Sequence, residues 1–348
     1  MTRTVEFRYK IIRNGADYGV LHPAAGSAPQ ISMRETDAVK TSFSGMFLPP
    51  EKEVNWLTDE IRPEIIINGT ANSLGIFCPF SVNETDDGTM KTISVSANDR
   101  CWTVRDCKTE RRVYLAAGTN YVDAVISLIS EAGIAAINAS ETDAVLTEDR
   151  EDWEIGTSYL DIANQLLSEI NYDPIWFDAD GICTIQPTYT PTAANIRHTL
   201  DEHKIESLLI PGIESVTDLL EKANVFVCVC SNADKSTPMR AVAENTNPQS
   251  PLSIARRGRR ITEVIRVNNI ASQEALQTMA NKMVTDSMML GEVLTVNTCL
   301  LPGWGVGDVT AIHYGELMAI CRETAWTMDL TIGGRMMHTL ERKVMALG

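Results

Sequence analysis

A chain of 348 residues exceeds the usual size of one compact core, so two or three domains are expected. Its 44% hydrophobic and 22% charged residues are ordinary for a globular protein and exclude wholesale disorder. A formal net charge of −16 argues against a surface built to neutralise nucleic-acid phosphates, and no apolar run approaches the roughly 18–20 residues of a membrane span. The segment from Met1 to Phe7 lacks the apolar core of a secretory signal, so folding in a cytoplasm is expected.

Residues 1–112 read as a β domain. Short apolar runs near Val5–Tyr9 and Ile65–Ile67 alternate with Asn14-Gly15, Asn68-Gly69 and Asp87-Gly88. These dipeptides accept the positive φ that tight hairpins require. Pro49, Pro50, Pro63 and Pro79 are expected to bound strands without sitting deep inside them.

Residues 113–200 change to an α/β character. Val122, Val125, Ile126 and Ile129 have helical spacing over 119–129, with Gly133 as a stop. Leu160, Ala163, Leu166, Leu167 and Ile170 do the same for a second helix over 156–167. Both helices start alike: Gly118 matches Gly156, Tyr121 matches Tyr159, Asp123 matches Asp161 and Leu128 matches Leu166. A polar N-cap plus an early aspartate suits the exposed amides of a helix start, so duplication and convergence both produce the pattern, with convergence preferred. Between the helices, residues 141–154 hold seven acids and one arginine without calcium-loop spacing, and read as an exposed acidic loop. Residues 175–185 form a hairpin turning at Asp180-Gly181, and Pro187 to Thr192 read as a linker.

Residues 201–348 read as a second β domain carrying one helix at about 272–290. Strand-like branching marks 225–230, 261–267, 292–299 and 325–332. Leu276, Met279, Ala280, Met283 and Val284 share one helix face and are assigned to core, with Gly291 as the stop.

Chemistry is harder to find. Cysteines 78, 101, 107, 183, 228, 230, 299 and 321 lack metal-ligand spacing and read as reduced, buried hydrophobes. His198 and His203 are five residues apart, which fails the i, i+4 metal geometry of a helix; His22, His313 and His338 are scattered. Gly303 to Gly307 read as a turn between strands, because the third glycine comes too early for a nucleotide fingerprint. Arg256, Arg257, Arg259 and Arg260 form a basic island, read as a solvated turn entering the 261–267 strand. Asn68, Asn83 and Asn138 head glycosylation sequons that matter only along a secretory route. Asp86-Asp87 and Asp178/Asp180 could serve a glycosidase, but the hairpin turn accounts better for Asp178 and Asp180. No catalytic, cofactor-binding or metal residue is assigned, and no enzyme activity or cofactor is expected.

Three stretches together resemble tail hub proteins of phages that infect Gram-positive bacteria, and the related hubs of contractile injection systems. The first runs from Lys40 to Pro50, through Asn55–Asp59, Arg62-Pro63 and Ile66–Gly69, to Leu74–Phe77. The second is the Gly-Thr-x-Tyr helix followed by Tyr172–Gly181, and the third is Val306–Val309 with the strands through Ile332. The resemblance implies an α+β, mainly β fold: two tail-tube-like β-barrel modules with an α/β insertion. It implies a homotrimer, because three chains of two barrels make a pseudo-six-fold ring joining a hexameric tail tube to the tip or spike. Expected partners are the tail tube protein, the spike, other baseplate proteins and the tape measure protein, with DNA only as passing cargo past an acidic lumen. The expected location is the virion tail tip or baseplate, after assembly in the host cytoplasm, without membrane insertion. Because the sequence stops at Gly348, no wall-digesting extension is expected. Alternatives are a distal tail or baseplate wedge protein, or a cell-wall hydrolase.

Overall fold

The computed structural model describes residues 3–189, 191–217, 223–230, 239–267, 273–287 and 289–345. In chain order the first strands are β1 (Val5–Arg13), β2 (Ala16–Leu21), β3 (Gln30–Arg34), β4 (Thr41–Phe47), β5 (Glu60–Ile67), β6 (Thr70–Ser73), β7 (Phe77–Asp86) and β8 (Lys91–Asp99). Helix α1 (Cys101–Asp106) leads to α2 (Tyr121–Glu131), β9 (Ile137–Ala139), α3 (Tyr159–Glu169), β10 (Trp176–Phe177) and β11 (Cys183–Ile185). There follow β12 (His198–Asp201), β13 (Leu209–Thr217), β14 (Val225–Cys230), β15 (Met239–Glu244), α4 (Ile254–Arg257), β16 (Thr262–Val267) and α5 (Gln273–Ser287). The chain closes with β17 (Met289–Cys299), β18 (Val309–Tyr314), β19 (Leu317–Asp329) and β20 (Arg335–Met345). The fold is mainly β, as the sequence suggested.

Two compact units emerge: residues 1–212 with 296–340, and residues 213–295 with 341–348. In the first, the main sheet runs β20-β19-β3-β4-β8-β7-β5-β1-β2, so the C-terminal strand β19 pairs directly with β3 near the start of the chain. Alternation in β1 turns Tyr9 and Ile11 inward. Tyr9 meets Phe47 edge-on at 5.2 Å, and Phe43 meets Phe77 at 5.5 Å, forming an aromatic core. The Tyr9 hydroxyl donates to the Leu330 carbonyl at 3.3 Å, and burial raises its pKa.

The Asn-Gly signals are borne out. Asn14 and Gly15 have φ of 51° and 77°, and Asn68 and Gly69 have 50° and 84°, the double positive pair of a two-residue hairpin turn. The prolines differ from expectation, since Pro63 and Pro79 sit within β5 and β7. Pro63 is tolerated because its carbonyl faces β6, accepting from Leu74, so its missing N–H points the same way. On that side β7 pairs with β5 at Ile61 and β6 pairs with it from Glu64 onward, so Pro63 lies between the two ladders and uses its carbonyl toward Leu74. Pro79 lies at a register shift against β8.

Helix α1 was not anticipated. Asp99 supports its start by accepting from Cys101 N at 2.9 Å, while its other oxygen accepts from Thr41 N at 2.7 Å. Helices α2 and α3 form where the periodicity placed them, shifted by two or three residues. Asn120 caps Val122 and Asp123, and Ser158 caps Asp161. The two lie antiparallel and exchange equivalent bonds: Tyr121 donates to Glu169 at 3.0 Å and Tyr159 to Glu131 at 3.1 Å. Their approaches also mirror one another. Gly118 N and Tyr121 N donate to Leu146 and Ala144, while Gly156 N and Tyr159 N donate to Thr109 and Cys107. The small sheet β10-β11-β9 completes this part, with Trp176 opposite Thr184 in the expected hairpin.

The second unit holds the sheet β15-β14-β16 with α5 against it. Leu276, Ala280 and Val284 are buried and Met279 and Met283 half-buried on the same core, as the stripe predicted. The helix is shorter than the 272–290 reading: Ser272 and Met288 lie outside the described residues and β17 begins at Met289, so Gly291 is inside a strand. The order β16-α5-β17 stands as expected.

Candidate assembly site

The chemically dense part of the first unit is a set of polar joints between stretches far apart in sequence. Arg322 on β19 donates through Nε to Glu35 at 2.8 Å and reaches Asp173 at 3.2 Å. Asp173 also accepts from the Thr188 hydroxyl at 2.8 Å. Burial alone would lower the Arg322 pKa; the Glu35 and Asp173 carboxylates outweigh it and hold the guanidinium charged. Arg100 makes a second joint, gripping both oxygens of Glu60 at 2.7 Å and donating to the Gly181 carbonyl at 3.1 Å. Gly181 has φ of +75°, and an added Cβ would meet Ile76 at 2.7 Å, so both backbone and space demand glycine there.

A third joint organises the 303–308 loop. Asp308 accepts from Arg197 at 2.9 Å and from Gly305 N at 2.7 Å, and its other contact is His198 Nε2 at 2.8 Å. Burial pushes the Asp308 pKa up, but these partners pull it below the ordinary value. The His198 ring stacks on Trp304 at 3.8 Å and 17°, and Trp304 lies 4.3 Å from His338. His338 touches Glu323 at 3.2 Å and Thr298 at 3.0 Å, and neither His338 nor Glu323 is exposed at all. Burial pushes Glu323 well above its ordinary pKa and holds His338 down to about 3. Burial thus works against charging either member of the pair, since two buried charges carry a large desolvation cost.

These groups brace distant stretches of the first unit against one another. Asp178 Oδ1 accepts from Asp180 N and Ile182 N, both at 2.9 Å, so the carboxylate shapes the hairpin turn as expected. Asp86 and Asp87 likewise accept from Gly88, Thr89 and Met90 in their own turn. His198 and His203 lie on β12 and the turn after it, not on a helix, and their partners differ: Asp308 for the first, Glu202 at 3.7 Å for the second. Among the described residues no group of three His, Cys, Asp or Glu side chains is arranged to hold a metal. The eight cysteines are reduced; Cys101, Cys183, Cys228, Cys230 and Cys321 are buried and Cys78, Cys107 and Cys299 half-buried. Among the described residues no helix is long and apolar enough to cross a membrane.

Of the two charged surface readings, the acidic one changes and the basic one holds. The acidic stretch 141–154 is not simply an exposed loop: Arg150 grips Glu169 at 2.9 and 3.1 Å, and buried Trp153 donates to Gln165 at 2.9 Å. One arginine and one tryptophan, hidden among the acids, dock it against α3. The basic island does precede its strand as a turn, through α4 and a left-handed Gly258, and Arg260 is paired with both oxygens of Glu244.

No protein-family model matches the sequence, and no curated protein is similar to it in sequence. The fold itself is that of phage tail proteins, in line with the resemblance read from the sequence. A tail protein from Neisseria meningitidis MC58 matches with a TM-score of 0.65 at 14% identity, over 97% of this chain and 96% of that one. The 43 kDa tail protein of prophage MuSo2 from Shewanella oneidensis matches at 0.67 and 10% identity, over 96% and 98%. Prophage tail protein gp18 from Listeria monocytogenes EGD-e matches at 0.58 and 11% identity, over 96% and 94%. At these identities the shared property is the fold.

Proposed function

We propose that this chain is a structural, non-enzymatic hub of a phage tail tip or baseplate. The observation that carries the reading is mutual coverage: tail proteins from Neisseria and Shewanella align over nearly all of this chain and nearly all of their own. In this reading the chain is a homotrimer, each copy supplying two tube-like β modules to a pseudo-six-fold ring. The modules are residues 1–112 and 201–348, with 113–200 as the insertion. Above the ring sits the tail tube and below it the tip or spike, with other baseplate proteins and the tape measure protein as further partners. The protein is a virion component assembled in the bacterial cytoplasm.

The polar joints fit a part that must hold shape under load, since Arg322 and Arg100 tie distant stretches of the first unit by charge-assisted bonds. The carboxylates that a hydrolase would need are engaged in turns instead. The net charge of −16 suits a lumen that repels passing DNA. A ring structure with a basic lumen would sink that part of the reading.

Light scattering over a range of concentrations tests self-assembly. A mass near three times 38.3 kDa is the expected result. A monomer at every concentration would remove the self-assembling ring and favour a distal tail or baseplate wedge role.

A further inference from the structure

One recess in the first unit is lined by parts of three distant stretches. Thr41 and Asp99 come from the β4–β8 region, Trp176 from the insertion hairpin, and Trp304, Trp326 and Met328 from the C-terminal region. Trp176 and Trp326 are 6% and 7% exposed, and the indole Nε1–H of each is buried without a protein acceptor. A buried donor left unpaired costs roughly 1–3 kcal/mol, and two of the five unpaired buried side-chain atoms among the described residues belong to residues lining this one space.

The structure assigns this space as an internal hydration site: we propose that ordered water bridges the two indoles to the Asp99 carboxylate. The volume is about 40 Å³, and one water needs roughly 10–15 Å³ of such space, so about two or three molecules fit. Hydrogen-bond polarity selects water over an anion. Each indole needs an acceptor, whereas Asp99 offers only acceptor oxygens. A water accepts from the indole and donates to the carboxylate, satisfying both ends. An anion would accept from the indoles and be repelled by Asp99. The Asp99 oxygens already accept one backbone bond each, from Thr41 and Cys101, and each retains capacity for another. The consequence is a wet joint in which three stretches of chain communicate partly through water.

A crystal structure at high resolution, grown with and without bromide, tests this on the full chain. The expected result is non-anomalous density about 2.7–3.2 Å from both indole nitrogens, with a continuing contact to Asp99. Trp326→Phe should lose the peak beside residue 326 and keep a peak beside Trp176. Water-to-indole cross-relaxation in the NMR spectrum of ¹⁵N-tryptophan-labelled protein gives a second reading, with persistent water signals expected at Trp176 and Trp326. An empty space without these signals would overturn the proposal. So would an anomalous bromide peak there, which would make the site an anion site.

Discussion

Helices α2 and α3 are each 11 residues long, start with tyrosine, carry aspartate third and end on glutamate. Each is capped by a polar side chain, and each sends its tyrosine to the other's terminal glutamate. They differ in depth. In α3 the residues Leu160, Ile162, Ala163, Leu166 and Leu167 are all completely buried, while in α2 only Val125 and Ile129 are. They also differ in dressing, since Glu169 holds both Tyr121 and Arg150 whereas Glu131 holds Tyr159. Local rules therefore set where each helix begins, and tertiary surroundings set how much each contributes. The mirrored approaches through Gly118 and Gly156 reach beyond what capping requires, which favours duplication over the convergent reading.

The largest expected effect sharpens the difference in depth. Leu166→Ala should cost about 2–5 kcal/mol in urea unfolding, with Leu128→Ala nearer the low end of that range. Equal losses would mean that the burial difference carries no energetic weight. The caps should act alike: Asn120→Ala and Ser158→Ala are each expected to cost about 1 kcal/mol by the same measurement, and a silent cap would break the equivalence. The terminal glutamates should separate again. Glu169→Gln should lower stability by up to about 1 kcal/mol because it weakens the Arg150 grip, while Glu131→Gln should change it by less than about 0.5 kcal/mol. The smallest effect is the reciprocal pair itself. Tyr121→Phe and Tyr159→Phe should each shift stability by a few tenths of a kcal/mol, and a thermal scan separating them widely would argue against the mirrored arrangement.

What the sequence disclosed follows from the range of the interactions involved. Asn14-Gly15, the α2 and α3 stripes and the Asp180-Gly181 turn are set by neighbours within a few residues, and each was legible. Helix α1 was not, because six residues carry too little periodicity to register. The strand β20 was missed for a different reason: Met336, His338 and Leu340 alternate inward, but a fully buried histidine disguises the apolar period. The joints were invisible because Arg322 meets partners 287 and 149 residues away. The docking of the 141–154 stretch hid behind its charge, since seven acids outweighed Arg150 and Trp153 in a composition-based reading.

The central claim is that this chain forms the hub at the end of a tail. Electron microscopy of particles carrying a gold-labelled tag on this chain tests it most directly. The account predicts label confined to the tail tip, over a ring with three-fold symmetry and six similar lobes. Label distributed along the tube, or on peripheral arms around a ring built by another protein, would contradict it.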